Sequence, residues 1–201
     1  MTRRIRLATA WLSGCSGCHM ALLNLHGGLL NLFARCDLVY SPLADIKEYP
    51  AGVDICLVEG AVGNSDNREM ALVIRERSTV VVSLGDCAVN GNVAALRNPR
   101  GKAAAVDCAY PPAGGFTPDV PDLREIVLPL HQVIRVDAFI PGCPPEPDAI
   151  GQAIQRLIAL ILSAPTNTNA PHRGASADQS TNKNYTAEVA EETKHTSSSI
   201  A

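Results

Sequence analysis

Short apolar runs alternate with segments of helical period along residues 5–162 of the chain. The runs are continuous or rich in β-branched side chains, which is typical of strands covered on both faces. They predict strands over 5–12, 37–41, 53–59, 79–84 and 136–140. The segments between them predict helices over 19–34, 67–77, 93–97 and 146–162. This alternation predicts an α/β fold with a doubly wound parallel sheet of the flavodoxin-like type.

Two stretches depart from this pattern. Residues 99–125 are rich in proline, glycine and aspartate, which predicts an irregular insertion. Residues 164–201 contain almost no large apolar side chains, and such a composition cannot bury enough surface to offset the entropy of ordering. We therefore predict one flavodoxin-like domain over 1–163 and a disordered polar tail over 164–201.

Composition narrows the classes of function. The chain has 201 residues, of which 46% are hydrophobic, enough for one domain with its own core. Its formal net charge of -3 and the lack of a basic cluster disfavour nucleic acids and anionic membranes as partners. No apolar run approaches the roughly 18 residues of a membrane span, and the one after Arg3 and Arg4 is too short for an export signal. The seven cysteines are irregularly spaced, unlike a disulfide framework, so we expect a cytoplasmic, reduced protein.

Four cysteines follow predicted strands. Cys15 and Cys18 come after the first strand, Cys87 after the fourth and Cys143 after the fifth. Because the carboxyl ends of parallel strands meet at one edge of the sheet, we expect these thiols to converge there. Converging thiolates bind zinc or an iron–sulfur cluster. One close pair with two distant single cysteines differs from the two pairs of structural zinc, and the Cys143-Pro144 step also favours a 4Fe-4S cluster.

A second interpretation stays open for the close pair. A Cys-x-x-Cys at a strand-to-helix junction is also how thioredoxin-like dithiols are built. That interpretation leaves Cys87 and Cys143 without a role. The other cysteines are predicted to be structural; they are Cys36, Cys56 and Cys108.

Glu59 is an ionisable residue at the end of an otherwise apolar strand. It is either a solvated strand end or a partly buried carboxylate near the cluster that takes part in proton transfer. His19 directly follows one of the predicted ligands. It could donate a hydrogen bond to cluster sulfur, although a place on the helix surface is the commoner case for such a histidine.

Four motifs in a fixed order carry a family resemblance that covers residues 4–162. They are Gly14-Cys-x-Gly-Cys-His-Met20, Val58-Glu-Gly60, Gly85-x-Cys-Ala88 and Phe139-Ile-Pro-Gly-Cys-Pro-Pro145. The set resembles the small, electron-transferring subunit of nickel–iron hydrogenases, in particular the bidirectional, NAD-linked cytoplasmic type. The resemblance implies that the metal ligands are Cys15, Cys18, Cys87 and Cys143. It also implies that Glu59 lies close to the cluster.

The resemblance further implies how such a chain works. One 4Fe-4S cluster would relay electrons between a nickel–iron centre on a large subunit and FMN and NAD on flavin-containing diaphorase subunits. The enzyme as a whole would be an NAD-reducing hydrogenase. Gly14, Gly17 and Gly142 would let the backbone approach the cluster closely. The final acceptor, whether NAD, NADP or a deazaflavin, and any flavin on this subunit stay open.

Two departures from related families limit the expectation. No further cysteine follows Cys143, so one cluster is the ceiling for this chain. The related subunit of NADH–quinone oxidoreductases has adjacent cysteines where this chain has Cys15-Ser-Gly-Cys18. That type of complex and a flavodoxin-like dithiol oxidoreductase are the two alternative functions.

Overall fold

The structure, a computed structural model, describes residues 3–110 and 120–163. Its strands are β1 (Ile5–Trp11), β2 (Cys36–Tyr40), β3 (Val53–Glu59), β4 (Val62–Asn64), β5 (Ser78–Leu84), β6 (Leu123–Leu128) and β7 (Ala138–Ile140). Five of them form a wholly parallel sheet in the order β2-β1-β3-β5-β7. Counted among themselves these five strands have the order 2-1-3-4-5, which is that of flavodoxin-like folds. The predicted fold class is confirmed.

Seven helices accompany the strands in the described residues. They are α1 (Gly17–Leu23), α2 (Gly27–Phe33), α3 (Ser65–Arg77), α4 (Asp86–Asn90), α5 (Asn92–Ala95), α6 (Gly101–Ala109) and α7 (Pro147–Ser163). The side chain of Asn64 caps α3 by accepting a hydrogen bond from the backbone N–H of Asn67 at 2.8 Å. None of these helices is both long and apolar enough to cross a membrane.

Two apolar clusters cover the two faces of the sheet. Successive residues of a strand point to opposite faces, so β3 contributes Ile55 and Leu57 to one cluster and Cys56 and Val58 to the other. The first cluster is closed by residues of α1 and α7, and the second by residues of α3. Every residue of β3 is buried, in agreement with its continuous apolar sequence. The central strand is therefore shielded on both faces along its whole length.

Two helix predictions need correction. The helix predicted over 19–34 is two helices, because the chain turns between α1 and α2 at His26, whose φ is 49°. The helix predicted over 93–97 is the later of two short helices, since α4 begins directly at the end of β5. The number and bounds of these helices were not predicted correctly, because helices this short have little periodicity of their own.

The prediction of an irregular insertion over 99–125 is wrong in part. Gly101–Ala109 forms α6, and β6 begins at Leu123 and pairs antiparallel with β4 in a second, two-stranded sheet. Asn98 binds this sheet by exchanging two hydrogen bonds with the backbone of Val127, at 2.9 and 2.8 Å. Residues 111–119 lie outside the described part of the chain, as does the predicted tail over 164–201.

Candidate functional site

The predicted ligands all follow strands that end at the carboxyl edge of the sheet. Cys15 lies between β1 and α1, and Cys18 is in the first turn of α1. Cys87 is in the first turn of α4, which follows β5, and Cys143 comes after β7. β3 lies between β1 and β5 in the sheet and ends at the same edge with Glu59.

Backbone hydrogen bonds join the loops that carry Cys87 and Cys143. The N–H of Gly85 donates to the carbonyl of Ile140 at 2.8 Å, and the N–H of Asp86 donates to the carbonyl of Gly142 at 2.9 Å. The Asp86 carboxylate accepts the N–H of Gly142 in return, at 2.7 Å. These three bonds continue the pairing of β5 with β7 beyond the strands and fix one loop against the other.

Gly85 brings the Cys18 sulfur against the same pair of loops. A Cβ built on Gly85 would lie 2.2 Å from the Cys18 Sγ and 3.4 Å from the carbonyl oxygen of Gly142. The φ of Gly85 is +80°, a conformation that side-chain-bearing residues rarely adopt. The glycine is therefore needed both for the turn and for the approach of the sulfur. Sequence analysis missed this role. The sequence does not reveal the positive φ, but a glycine just before Asp86 and the predicted ligand Cys87 was a signal of a close backbone approach.

The electrostatic influence of the other thiols reaches Cys18 and Cys87. Burial is the main cause that raises the pKa of the Cys18 thiol to about 12, and the negative charges of Glu59, Cys15, Cys87 and Cys143 raise it further. Burial also raises the pKa of Cys87, and the charges of Cys143 and Cys15 add to that increase. Such mutual effects require the groups to be neighbours. The structure therefore brings the four predicted ligands together at one edge.

Thiols are the donor groups at this edge, and their thiolates bind zinc or iron–sulfur clusters. All seven cysteines are free of disulfides. Within residues 3–110 and 120–163, no three His, Cys, Asp or Glu side chains are close enough together to hold one metal ion. A zinc ion needs its sulfur ligands about 2.3 Å from one point, whereas a cluster of several irons holds its thiolates farther apart. The donor type, a set of thiols, fits an iron–sulfur cluster.

The site is exposed on one side and buried on the other. Cys15 and Cys143 are exposed and Cys87 is half-buried, but Cys18 is buried in the cluster of α1 and α7. The backbone N–H groups of Ala94 and Val93 in α5 lower the pKa of Cys87, against the larger effect of its burial.

Glu59 and His19 form a buried pair beside Cys18. Both residues are 1% exposed. The Glu59 Oε2 lies 2.5 Å from the His19 Nδ1 and accepts the backbone N–H of His19 at 2.9 Å, while Oε1 accepts that of Cys18 at 3.4 Å. The alternatives of a solvated Glu59 and of a surface His19 are therefore wrong. The reason is that the first turn of α1 lies against the end of β3.

A Cβ at any of the glycines predicted to lie near the cluster would meet other atoms of the chain. A Cβ on Gly14 would lie 3.2 Å from the Cα of Gly60, and one on Gly142 would lie 2.6 Å from the Cα of Pro145. Neighbouring backbone thus excludes a Cβ at Gly142 and leaves little room for one at Gly14. A Cβ on Gly17 would lie 3.2 Å from the Cys15 Sγ, so close approach to a bound cluster stays a prediction for that residue.

The other three cysteines lie elsewhere. Cys36 begins β2 and Cys56 is in the middle of β3, and both are buried. Cys108 is exposed on α6.

Fold and site together define a class: flavodoxin-like α/β proteins with a thiol-lined site at the carboxyl edge of the sheet. Residues 15–157 match the family described as NADH ubiquinone oxidoreductase, 20 Kd subunit. The delta subunit of the NAD-reducing hydrogenase HoxS from Cupriavidus necator is 38% identical over 165 residues, covering 77% of this chain and 79% of that subunit. The chain therefore belongs to the NADH ubiquinone oxidoreductase 20 Kd subunit family, and to the group within it that includes this hydrogenase delta subunit.

Other relatives support the same grouping. One of the subunits of the F420-non-reducing hydrogenase of Methanothermobacter thermautotrophicus is 38% identical over 169 residues, which cover 79% of this chain and 54% of that relative. The chain thus spans about half the length of such longer curated relatives.

Solved structures agree with the sequence relatives. A chain of the NAD+-reducing [NiFe]-hydrogenase in the H2-reduced state has 33% identity and a TM-score of 0.74, over 88% of this chain and 100% of that one. The Ni-Fe-Se hydrogenase of Desulfomicrobium baculatum, at 18% identity and a TM-score of 0.54 over 80% of this chain and 64% of that one, shares the fold.

Proposed function

We propose that this chain is the electron-transfer subunit of a cytoplasmic, NAD-linked nickel–iron hydrogenase and that it carries one 4Fe-4S cluster. The observation that carries the proposal is the convergence of four free thiols from three loops at one sheet edge. Membership of a family that includes a hydrogenase delta subunit supports it.

In the proposed site, Cys15, Cys18, Cys87 and Cys143 hold the cluster, which supplies one-electron transfer when bound. The chain's own residues position the thiolates and adjust their surroundings. Burial of Cys18 excludes water from one side, and the N–H groups of Ala94 and Val93 stabilise negative charge on the Cys87 sulfur.

The remaining parts of the reaction belong to partners in this proposal. The sequence contains seven cysteines, of which three are placed away from the edge, so a nickel–iron centre would need a separate large subunit. Hydrogen yields two electrons and two protons there. The electrons would pass singly through this chain to diaphorase subunits that carry FMN and NAD.

Iron analysis tests the proposal directly. We expect protein purified without oxygen to contain about four irons and four sulfides per chain and to give an EPR signal when reduced. A folded protein free of iron and sulfide would contradict the proposal.

Single cysteine substitutions test the assignment of the ligands. Replacing Cys15, Cys18, Cys87 or Cys143 with serine should abolish the cluster signal. The matched controls are Cys108→Ser on the surface and Cys36→Ala and Cys56→Ala in the core, which should retain it. Loss of the signal in Cys108→Ser alone would overturn the assignment.

The dithiol alternative fits the site less well. It uses Cys15 and Cys18 but gives no role to Cys87 and Cys143, whose charges both act on Cys18. A quinone-reductase type of complex is the other alternative. Electron transfer from hydrogen to NAD by the assembled complex, rather than from NADH to a quinone, distinguishes the two.

A further inference from the structure

The chain segment before the cysteine pair crosses the end of β3. Ser13 and Ala61 exchange backbone hydrogen bonds at 3.0 and 2.8 Å, and the N–H of Leu12 donates to the carbonyl of Glu59 at 2.8 Å. Gly60 makes this crossing possible, because its φ is +96° and a Cβ there would lie 2.8 Å from the carbonyl carbon of Leu12. The side chain of Glu59 is thereby placed beneath the start of α1.

The helix that begins there has no cap of its own. Ser16, which precedes α1, has a φ of 67° and makes no side-chain hydrogen bond to the helix. The first N–H groups of a helix have no partner within the helix, and buried ones need an acceptor. Glu59 supplies it from β3, since its two oxygens accept the N–H groups of Cys18 and His19. A residue distant in sequence thus takes the place of the missing cap.

The His19 imidazole holds this carboxylate from the other side. The Glu59 carboxylate already accepts two backbone N–H groups, so we assign the hydrogen of the 2.5 Å contact to the His19 Nδ1. The Nε2 is buried and has no hydrogen-bond partner among the residues that the structure describes. The contact with Glu59 is therefore the polar interaction that the ring makes there. A buried carboxylate without such donors would be strongly destabilised.

We propose that His19 is a positioning residue of the cluster site: through Glu59 it fixes the backbone at Cys18 and so holds the turn from Cys15 to Cys18 in place. The inference rests on the proposed function, because the cluster is what this turn would hold. It assigns Glu59 the task of an anchor, which requires no proton to move.

Two substitutions of His19 separate the roles of its ring. His19→Asn keeps a side-chain N–H donor near the position of Nδ1, whereas His19→Leu fills a similar volume with no donor. We expect His19→Leu to raise the amide hydrogen exchange rates of Cys18 and His19 by roughly tenfold or more, as for loss of a buried hydrogen bond to a charged group. His19→Asn should restore most of the protection.

The spectrum of the cluster gives a second measurement. In the purified complex, His19→Leu should shift or broaden the EPR signal of the reduced cluster, and His19→Asn should return it toward that of the unsubstituted protein. His26→Asn, which removes an exposed histidine between α1 and α2, is the matched control and should change neither exchange nor spectrum. Glu59→Gln keeps one acceptor oxygen, so we expect a smaller rise in exchange than with His19→Leu.

The outcomes distinguish this inference from its rivals. Exchange rates and EPR signal unchanged in His19→Leu would overturn it, as would equal damage from His19→Asn and His19→Leu. If Glu59→Gln lowers hydrogen turnover but changes neither exchange nor EPR signal, Glu59 acts in proton transfer and the anchor is wrong. The protein could also prove to hold no iron while His19→Leu still raises the amide exchange rates and His19→Asn restores them. In that case the anchoring role of His19 and Glu59 stands and the proposed function fails.

Discussion

Gly85 shows how one missing Cβ shapes the site. The Cys18 sulfur occupies the space that a side chain at this position would fill, and the same residue begins the backbone bonds that tie the β5 loop to the β7 loop. The contact between the chain after β1 and the chain after β5 thus depends on a glycine as well as on any bound ligand. The sulfur packs against backbone that cannot move without breaking those bonds.

We expect Gly85→Ala to lower iron and sulfide per chain several-fold. The added methyl would meet the Cys18 Sγ at 2.2 Å, so either the sulfur or the loop must shift. Gly52→Ala is the matched control, because its φ is +72° but a Cβ there has nothing within 4 Å. The Gly52 variant also places a methyl group at a positive φ, but without a clash. Equal iron contents in the two variants would show that the contact with Cys18 is unimportant.

Burial of Cys56 should make the free energy of unfolding fall as the pH rises above 9. Its side chain is fully buried, and burial raises its pKa from 9.0 to about 12. Above pH 9 the unfolded chain loses this proton while the folded chain keeps it, so the contribution is fully present below pH 9 and is lost as pH rises toward 12. The expected slope is about 1.4 kcal/mol per pH unit from this group.

Urea unfolding between pH 8 and pH 11 measures this slope. Cys56→Ala should lose stability less steeply with pH than the unsubstituted protein. Cys108→Ser alters an exposed cysteine and should leave the slope as it was. Parallel slopes for all three proteins would contradict the assignment to Cys56.

At the scale of elements, the long and buried ones follow from sequence. β3 and β5 are continuous apolar runs, and α3 and α7 have clear helical periods, so their bounds were predicted to within about two residues. The short elements do not follow, because β4 has three residues and α4 has five, and both depend on neighbours for their hydrogen bonds.

The candidate site also has a part that the sequence predicts and a part that it does not. The convergence of four cysteines could be predicted from strand ends alone, because parallel strands share one carboxyl edge. The contact of His19 with Glu59 could not, since the two are 40 residues apart and meet only through the crossing of the chain over β3. An acid at the end of a buried strand signals that a partner exists, but not which one.

Asp86 connects two elements of the site, and its removal should loosen them. Its carboxylate holds the N–H of Gly142, next to Cys143. We expect Asp86→Ala to lose iron to a chelator several times faster than the unsubstituted protein, with Asp86→Asn intermediate because it keeps an acceptor oxygen. Asp66→Ala, in the first turn of α3, is the control for loss of a helix-start acid. Iron loss at the same rate in Asp86→Ala and Asp66→Ala would contradict the connection.

At the scale of the whole molecule, the described residues at the carboxyl edge of the sheet include exposed apolar side chains. Exposed apolar side chains lie on the elements that end or begin there, among them Trp11 at the end of β1, 48% exposed, and Met20 in α1, 52% exposed. We expect this edge to be the surface on which the large subunit of the proposed complex docks.

Trp11 can report such docking because it is the single tryptophan of the chain. Complex formation with a tryptophan-free or fluorotryptophan-labelled large subunit should shift its emission to shorter wavelength, as burial removes water from the indole. Met20→Asp should weaken the complex, whereas Leu160→Asp, near the far end of α7, should not. Unchanged emission on formation of a stable complex would place the docking surface elsewhere.

The two-stranded sheet has a practical consequence for labelling the protein. α6 and β6 are fastened independently of the chain between them, by the ion pair of Lys102 with Asp122 at 2.7 Å and by the Asn98 bonds to Val127. A fluorophore attached to Cys108, which is exposed on α6, would therefore report on this part of the chain.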